Sequence, residues 1–129
     1  MTQRPTEFVV RRSTWLRGQE GGSVLLDRRG CMCCLGFVAR QCGMAPDVLL
    51  ANATPGCVAW ERNADMEPIA SILVEPAGTD DFGNELWGDS QLANNAIALN
   101  DGLELGDPER ESELTQLFAA HGYMLRFEP

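Results

Sequence analysis

The segment from Cys31 to Gly43 constrains the fold most, because it places four of the five cysteines within one helix-length stretch. Apolar side chains recur in it at helical spacing, and such a stripe is typical of a helix that packs one face against a core. The residues of this stripe are Cys31, Cys34, Leu35, Val38 and Cys42. Gly43 follows, where a left-handed C-terminal cap favours glycine. The spacing therefore predicts a central core helix over residues 31–42.

The remaining patterns predict a small α+β fold that forms a single domain over residues 1–129. Alternating or β-branched residues indicate strands, whereas capping residues and helical periodicity indicate helices. The expected elements are strands at 8–12, 69–74 and 123–127 and helices at 46–51, 91–99 and 108–121. We expect three to four helices around the Cys-rich helix and a short antiparallel sheet built mainly from the two chain ends.

The last two helices carry the clearest terminal signals. Ser90 is the candidate N-cap of the first, and Asp107 is the candidate N-cap of the second, with Pro108 in its first position. Acidic residues near that start would interact favourably with the helix dipole. The inward stripe expected for the last helix is Leu114, Leu117, Phe118 and His121.

Charge is distributed unevenly along the chain, whose formal net charge is −9 and whose ten basic residues are all arginine. Residues 1–40 carry seven arginines and three acids, whereas residues 41–129 carry three arginines and sixteen acids. A protein that contacts nucleic acid directly needs a basic face, so this distribution argues against that class. It favours either a solvated acidic surface or attraction to a partner protein with a basic surface.

The cellular compartment expected from the composition is a reducing cytoplasm. Five cysteines are odd in number, and crowding at Cys31, Cys33 and Cys34 makes a poor disulfide framework. The first seven residues lack the apolar core of a signal peptide, and no apolar run reaches the length of a membrane span.

Three short motifs resemble a recurring pattern in small proteins encoded by bacteriophages and prophages. They are Trp15-Leu-Arg-Gly18, Cys33-Cys-Leu-Gly36 with a further Cys42, and Leu99-Asn-Asp-Gly102. The late segment departs from the pattern, because Ala96 stands where the pattern has leucine. The resemblance covers residues 13–43 and 92–121. It implies a phage context and the cytoplasm of a bacterial host, and the family has no reaction to carry over.

A thiol enzyme is one alternative function. A cysteine in the first turn of a helix has its thiolate favoured by the dipole, so Cys33 or Cys34 is the candidate nucleophile. His121 would be the base, oriented by Asn100 or Asp101. The opposing interpretation is that these cysteines are core residues and that His121 is structural.

A zinc-stapled interaction module is the second alternative. Cys31 and Cys34 have the spacing of a ligand pair, and Cys57 and His121 would complete a tetrahedral site. Only one such pair occurs, whereas two at matched spacing are typical of structural zinc sites. Packing of these cysteines in the core is the simpler interpretation, and we expect no cofactor.

The leading hypothesis is a non-enzymatic accessory protein that binds a host protein with a basic surface. Inhibition of a host defence or nucleic-acid-handling complex is a natural subclass, and self-association stays open. The residues expected to contact the partner are Glu109, Glu111, Glu113, Asp80, Asp81 and Trp87. Tryptophan is enriched at interface hot spots, so Trp15 and Trp60 are further candidate anchors, with core packing as the alternative for all three tryptophans.

Overall fold

The two ends of the chain pair with each other in a computed structural model that describes residues 5–18, 22–58 and 65–129. Strand β1 (Glu7–Arg11) lies beside the last strand, β4 (Met124–Glu128), and places Phe8 opposite Leu125. The pairing of the chain ends is confirmed, but the two strands run parallel, so the expected antiparallel direction is wrong. Parallel pairing requires a crossover connection, and here the whole intervening chain supplies it.

The central helix α1 (Cys34–Gln41) is confirmed, although it begins three residues later than expected. Met32 lies extended instead, because its N–H donates to the Thr14 carbonyl at 2.9 Å and its own carbonyl accepts from Leu16 N–H at 2.8 Å. Cys33 therefore becomes the N-cap. Cys31 lies outside the helix and is half-buried, so the inward stripe starts at Cys34.

Helix α1 packs very closely on the extended segment that precedes it. A Cβ placed on Gly36 would lie 1.9 Å from the carbonyl oxygen of Leu25, so no larger residue fits there. Every residue from Cys34 to Ala39 is buried. This accounts physically for the glycine of the Cys-Cys-Leu-Gly motif and places α1 at the centre of the core.

Two short helices and a hairpin occupy the middle of the chain. The helices are α2 (Pro46–Leu49) and α3 (Pro55–Val58), and the antiparallel hairpin joins β2 (Val74–Thr79) to β3 (Glu85–Asp89). The strand expected over residues 69–74 is therefore wrong except at its last residue. Residues 67–69 form a 3₁₀ turn, and Ser71 has a φ of 68°, which takes the backbone out of the extended region before Val74.

The last two helices, α4 (Gln91–Asp101) and α5 (Asp107–Ala120), pack against each other. The Ser90 cap is confirmed, because its hydroxyl oxygen accepts a hydrogen bond from Ala93 N–H at 3.1 Å. The Asp107 cap is wrong: Gly106 is the N-cap, and the Asp107 carboxylate binds arginine side chains instead. His121 is also not inward, since it ends α5 as an exposed C-cap.

Strands, helices and the core together confirm the expected fold class, a small α+β domain. Phe8, Val10, Val38, Leu114, Phe118 and Leu125 meet in one core that joins β1, β4, α1 and α5. The antiparallel pair lies in the hairpin rather than at the chain ends. Strand β2 is mostly exposed, because only its Val74 is buried, whereas β3 is mostly half-buried.

Candidate binding surfaces and the buried polar junction

Residues of all three sequence motifs meet at the buried side chain of Asn100, which is 1% exposed. Its Oδ1 accepts hydrogen bonds from Trp15 Nε1 at 2.8 Å and from Cys34 N–H at 3.1 Å. Its Nδ2 donates to the Leu16 carbonyl at 2.9 Å, and its backbone carbonyl accepts from Gly18 N–H at 2.8 Å. These contacts define the Asn100 junction. Because its amide is fully hydrogen-bonded within the protein, the junction stabilises the fold.

The turn between α4 and α5 is held by Arg110, whose side chain is 3% exposed. The guanidinium donates to the carbonyls of Leu99 at 3.2 Å, Leu105 at 3.0 Å and Gly102. It also donates to Asp107 Oδ1 at 2.8 Å. A planar guanidinium offers five donors in a fixed geometry, so one buried arginine serves several carbonyls at once. The sequence did not reveal this role, because a single arginine in an acidic helix carries no such signal.

Asp107 links this turn to the start of the chain. Its Oδ2 accepts hydrogen bonds from Arg17 Nε at 3.1 Å and Nη2 at 3.0 Å. These hydrogen bonds, together with the charges of Arg17 and Arg110, hold the pKa of Asp107 below its ordinary value. Arg17 also stacks on the Trp15 ring, with its guanidinium carbon 4.5 Å from the ring centroid.

The two candidate nucleophiles lie in the protein interior. Burial raises the pKa of Cys33 to about 11 and that of Cys34 well above its ordinary value, and the charge of Asp101 adds to both shifts. A thiol that stays protonated at neutral pH is a poor nucleophile. Both cysteines border a narrow gap that Asn100 and Asp101 also line, whereas His121, the base that these two residues were expected to orient, is not among its lining residues.

His121 lies at a different place from the thiols. It is exposed and lines a cleft of about 230 Å³ together with Glu75, Gln91 and Tyr123. The structure therefore does not bring the expected base to Cys33 or Cys34, and the buried gap beside those thiols has room for no water-sized molecule. The arrangement lacks the nucleophile–base contact that thiol catalysis needs.

The expected zinc ligands are also dispersed. Cys34 is fully buried and Cys31 half-buried, whereas Cys57 and His121 are exposed. Within residues 5–18, 22–58 and 65–129, no three His, Cys, Asp or Glu side chains lie close enough together to hold a metal ion. The structure thus offers no basis for a zinc site built from these four residues.

An open groove follows the junction of α4 and α5 and contains two of the acids expected to contact a partner. We call it the α4–α5 groove; its floor is formed by Leu99, Leu105 and Leu117, and its rim carries Glu109 and Glu113. It consists of two depressions of about 470 and 430 Å³ that share Leu99 and Glu113. Both glutamates are exposed, and neither forms an ion pair with a described residue.

Glu111 differs from its two neighbours on α5. Its Oε1 lies 2.7 Å from Arg12 Nη2, and its Oε2 accepts from Arg12 Nε at 2.9 Å. This bidentate ion pair links α5 to the segment after β1. The hydrogen bonding to Glu111 raises the pKa of Arg12. The carboxylate is therefore engaged within the protein, unlike those of Glu109 and Glu113.

The tip of the hairpin presents an aromatic side chain to solvent. Phe82 is 89% exposed, although a phenyl ring gains free energy by burial. Asp80 holds the loop around it: its Oδ1 accepts from Phe82 N–H at 2.8 Å and from Asn84 N–H at 2.9 Å. These hydrogen bonds lower the pKa of Asp80. Asp81, the residue before Phe82, is also exposed, so the loop combines an apolar side chain with negative charge.

The three tryptophans differ in what the structure says of them. Trp15 is 5% exposed and belongs to the core, and its indole N–H is satisfied by Asn100. Trp87, expected to contact a partner, is half-buried on β3 and packs against the core. Trp60 lies outside the described residues. Phe82 is therefore the exposed aromatic of the hairpin, and sequence reasoning missed it because it sits in a short polar loop.

No family model, curated protein or solved structure matches the chain. Among the described residues, no helix has both the length and the apolar character needed to cross a membrane. The resemblance to phage-encoded proteins stays an expectation based on three motifs. Those motifs do share a physical role in this chain, since Trp15, Cys34 and Asn100 are joined by hydrogen bonds.

Proposed function

We propose that this chain is a non-enzymatic accessory protein, encoded by a phage or prophage, that binds a basic surface of a host protein in the bacterial cytoplasm. The observation that carries the proposal is the ordered, acidic hairpin tip that keeps Phe82 89% exposed. Exposed aromatic side chains on ordered loops are typical interface anchors, because they bury much apolar area with little loss of conformational freedom.

Charge supports the class of partner. The formal net charge is −9, and five of the described arginines (Arg12, Arg17, Arg29, Arg110 and Arg126) are already paired with carboxylates of the chain. The field around the protein is therefore negative and attracts a basic surface over about one Debye length. Basic surfaces are common on proteins that bind nucleic acid, which favours a host defence or nucleic-acid-handling complex as the target.

The thiol-enzyme alternative receives no comparable support. Cys33 and Cys34 are buried with raised pKa values, and His121 lines another cleft. Thiol catalysis would require the buried thiols and His121 to come together, whereas binding through the acidic surface requires no such movement. It uses side chains that already face solvent.

The test is a pull-down of the tagged protein from bacterial lysate at about 50 mM and about 500 mM salt, with identification of captured proteins by mass spectrometry. We expect a basic protein that is retained at low salt, lost at high salt, and reduced at least about tenfold by Phe82→Ala. Met124→Ala is the matched control, because Met124 is an exposed apolar residue on β4, at 57%. Capture that is equal for wild type and Phe82→Ala at both salt concentrations would contradict the proposal.

A further inference from the structure

The floor of the α4–α5 groove is apolar surface that the described part of the chain leaves uncovered. Leu99 and Leu117 are half-buried and pack against the core from below, while Leu105 reaches the groove from the turn between the helices. Leu103, in the same turn, is 65% exposed. A contiguous apolar strip bounded by charged residues is typical of an interaction site on a soluble protein.

The rim of the groove carries two negative charges, on Glu109 and Glu113, that repel each other. Glu109 and Glu113 are four residues apart on α5, so their side chains are neighbours, and like charges at that spacing destabilise a helix slightly. The helix dipole offsets this cost for Glu109 in the first turn, but the effect fades before Glu113. A cationic partner between the two carboxylates would remove the repulsion.

The dimensions of the groove indicate the shape of the occupant. The residues of α5 that line the groove run from Pro108 to Leu117 and extend about 14 Å, which matches between two and three turns of another helix laid alongside. Two adjoining depressions suit apolar side chains spaced one to two turns apart on such a helix. Basic residues beside that apolar stripe would then reach the glutamates of the rim.

We propose that the α4–α5 groove binds an amphipathic basic helix of the partner protein, with leucine-like side chains on its floor and arginine or lysine between Glu109 and Glu113. This inference rests on the proposed function and names the structural class of the partner segment. A second copy of the chain is a less suitable occupant, because two molecules of net charge −9 repel each other. A single short helix laid in an open groove buries less area than a standard protein–protein interface. Such small interfaces are usually weak, so we expect micromolar affinity.

The test uses defined synthetic probes and isotopically labelled full-length protein. The first probe is a peptide of about 18 residues with leucine at helical spacing and arginine on the flanks of that stripe. A scrambled peptide of the same composition removes the stripe but keeps the charge, and a third peptide replaces arginine by glutamate. Binding is followed by NMR through the methyl groups of Leu99, Leu105 and Leu117, and the dissociation constants are compared.

The expected result is saturable shifts at these methyl groups with the amphipathic basic peptide alone. Glu113→Lys should weaken that binding at least about tenfold, whereas Asp47→Lys, which reverses an exposed charge outside the groove, should change it less than about twofold. Leu105→Ala tests the floor and should also weaken binding, and the folded state of each variant is checked by its NMR spectrum.

Three results would overturn the inference. They are equal affinity for the scrambled peptide, no binding of the amphipathic peptide, and concentration-dependent shifts of the same methyl groups in free protein, which would identify a second copy as the occupant. None of them bears on the salt-sensitive pull-down or on Phe82→Ala. Failure of the groove is therefore distinguishable from failure of the proposed function.

Discussion

Trp15 Nε1 donates a 2.8 Å hydrogen bond to Asn100 Oδ1, joining two side chains that are 85 positions apart in the sequence. The same oxygen accepts from the N–H of Cys34 at the start of α1. One buried amide therefore connects the segment after β1, the central helix and the end of α4. Replacing it should affect the whole domain rather than one surface.

Asn100→Ala should lower the free energy of unfolding by at least about 3 kcal/mol, because it leaves the Trp15 indole N–H, the Cys34 N–H and the Leu16 carbonyl buried without their partner. Urea denaturation measures the change. Asn94→Ala is the control on the same helix: Asn94 is exposed, so a change within about 0.5 kcal/mol is expected. Equal effects of the two substitutions would contradict the role assigned to the junction.

Arg110→Lys should also destabilise the protein, by about 2–4 kcal/mol, although it keeps the charge. A lysine ammonium carries its three donors on one nitrogen, so it cannot serve three carbonyls and Asp107 in the geometry of the guanidinium. Arg126→Lys alters a partly exposed ion pair with Glu7 and should cost less than about 0.5 kcal/mol. Thermal and urea unfolding of both variants provide the comparison, and a tolerated Arg110→Lys would argue against the turn-holding role.

The thiols should react in an order set by their environment. Cys57 is exposed and should be alkylated first in native protein, whereas Cys33 and Cys34 should react only after unfolding, since burial keeps both protonated at neutral pH. Alkylation followed by peptide mass spectrometry measures this, and the same reaction in denaturant is the control. Rapid native modification of Cys33 or Cys34 near pH 6 would instead support the thiol enzyme.

Stability should fall at alkaline pH for the same reason. The pKa of Cys33 is about 11 in the folded protein and lies near 9 in an exposed thiol, so the folded state holds its proton more tightly. The resulting stabilisation is complete below pH 9 and is lost as the pH rises from about 9 to about 11. From pH 8 to pH 10.5 we expect a loss of about 2 kcal/mol from this thiol, measured by urea unfolding.

Cys33→Ala provides the matched control for that pH dependence. Ionisations elsewhere affect the variant and the wild type alike, so the difference between their pH profiles reports the Cys33 thiol together with its charge coupling to Cys34. The variant should lose less stability than the wild type over this range. Parallel profiles would mean that Cys33 is not protected from ionisation by burial.

Local signals in the sequence predicted much of the fold but not its long-range pairings. Ser90 is of a residue type that caps helices, and it predicts the start of α4. Leu114 and Phe118 recur at helical spacing, which predicts that both lie on the buried face of α5. The parallel direction of β1 and β4 has no local signal, because alternation is the same for either direction. The late start of α1 depends on the bridge between Trp15 and Met32, which lies outside the helix itself.

The candidate site was predictable only in part for a similar reason. Glu109, Glu113 and Asp81 do lie on exposed surface, as acidic residues usually do. The pairing of Glu111 with Arg12 spans 99 positions, so its engagement could not be read from the sequence. Phe82 was missed because hydrophobic periodicity gives no information on a single aromatic residue in a five-residue loop.

The most direct test of the central claim is the affinity of the purified partner for wild type and for the double variant Phe82→Ala/Glu113→Lys, measured by calorimetry at about 50 mM and about 500 mM salt. We expect wild-type affinity to fall at least about tenfold at the higher salt concentration, and the double variant to bind at least about a hundredfold more weakly at low salt while unfolding at the same urea concentration. Unchanged affinity of the double variant at low salt would contradict the claim that the acidic surface and Phe82 bind a basic partner.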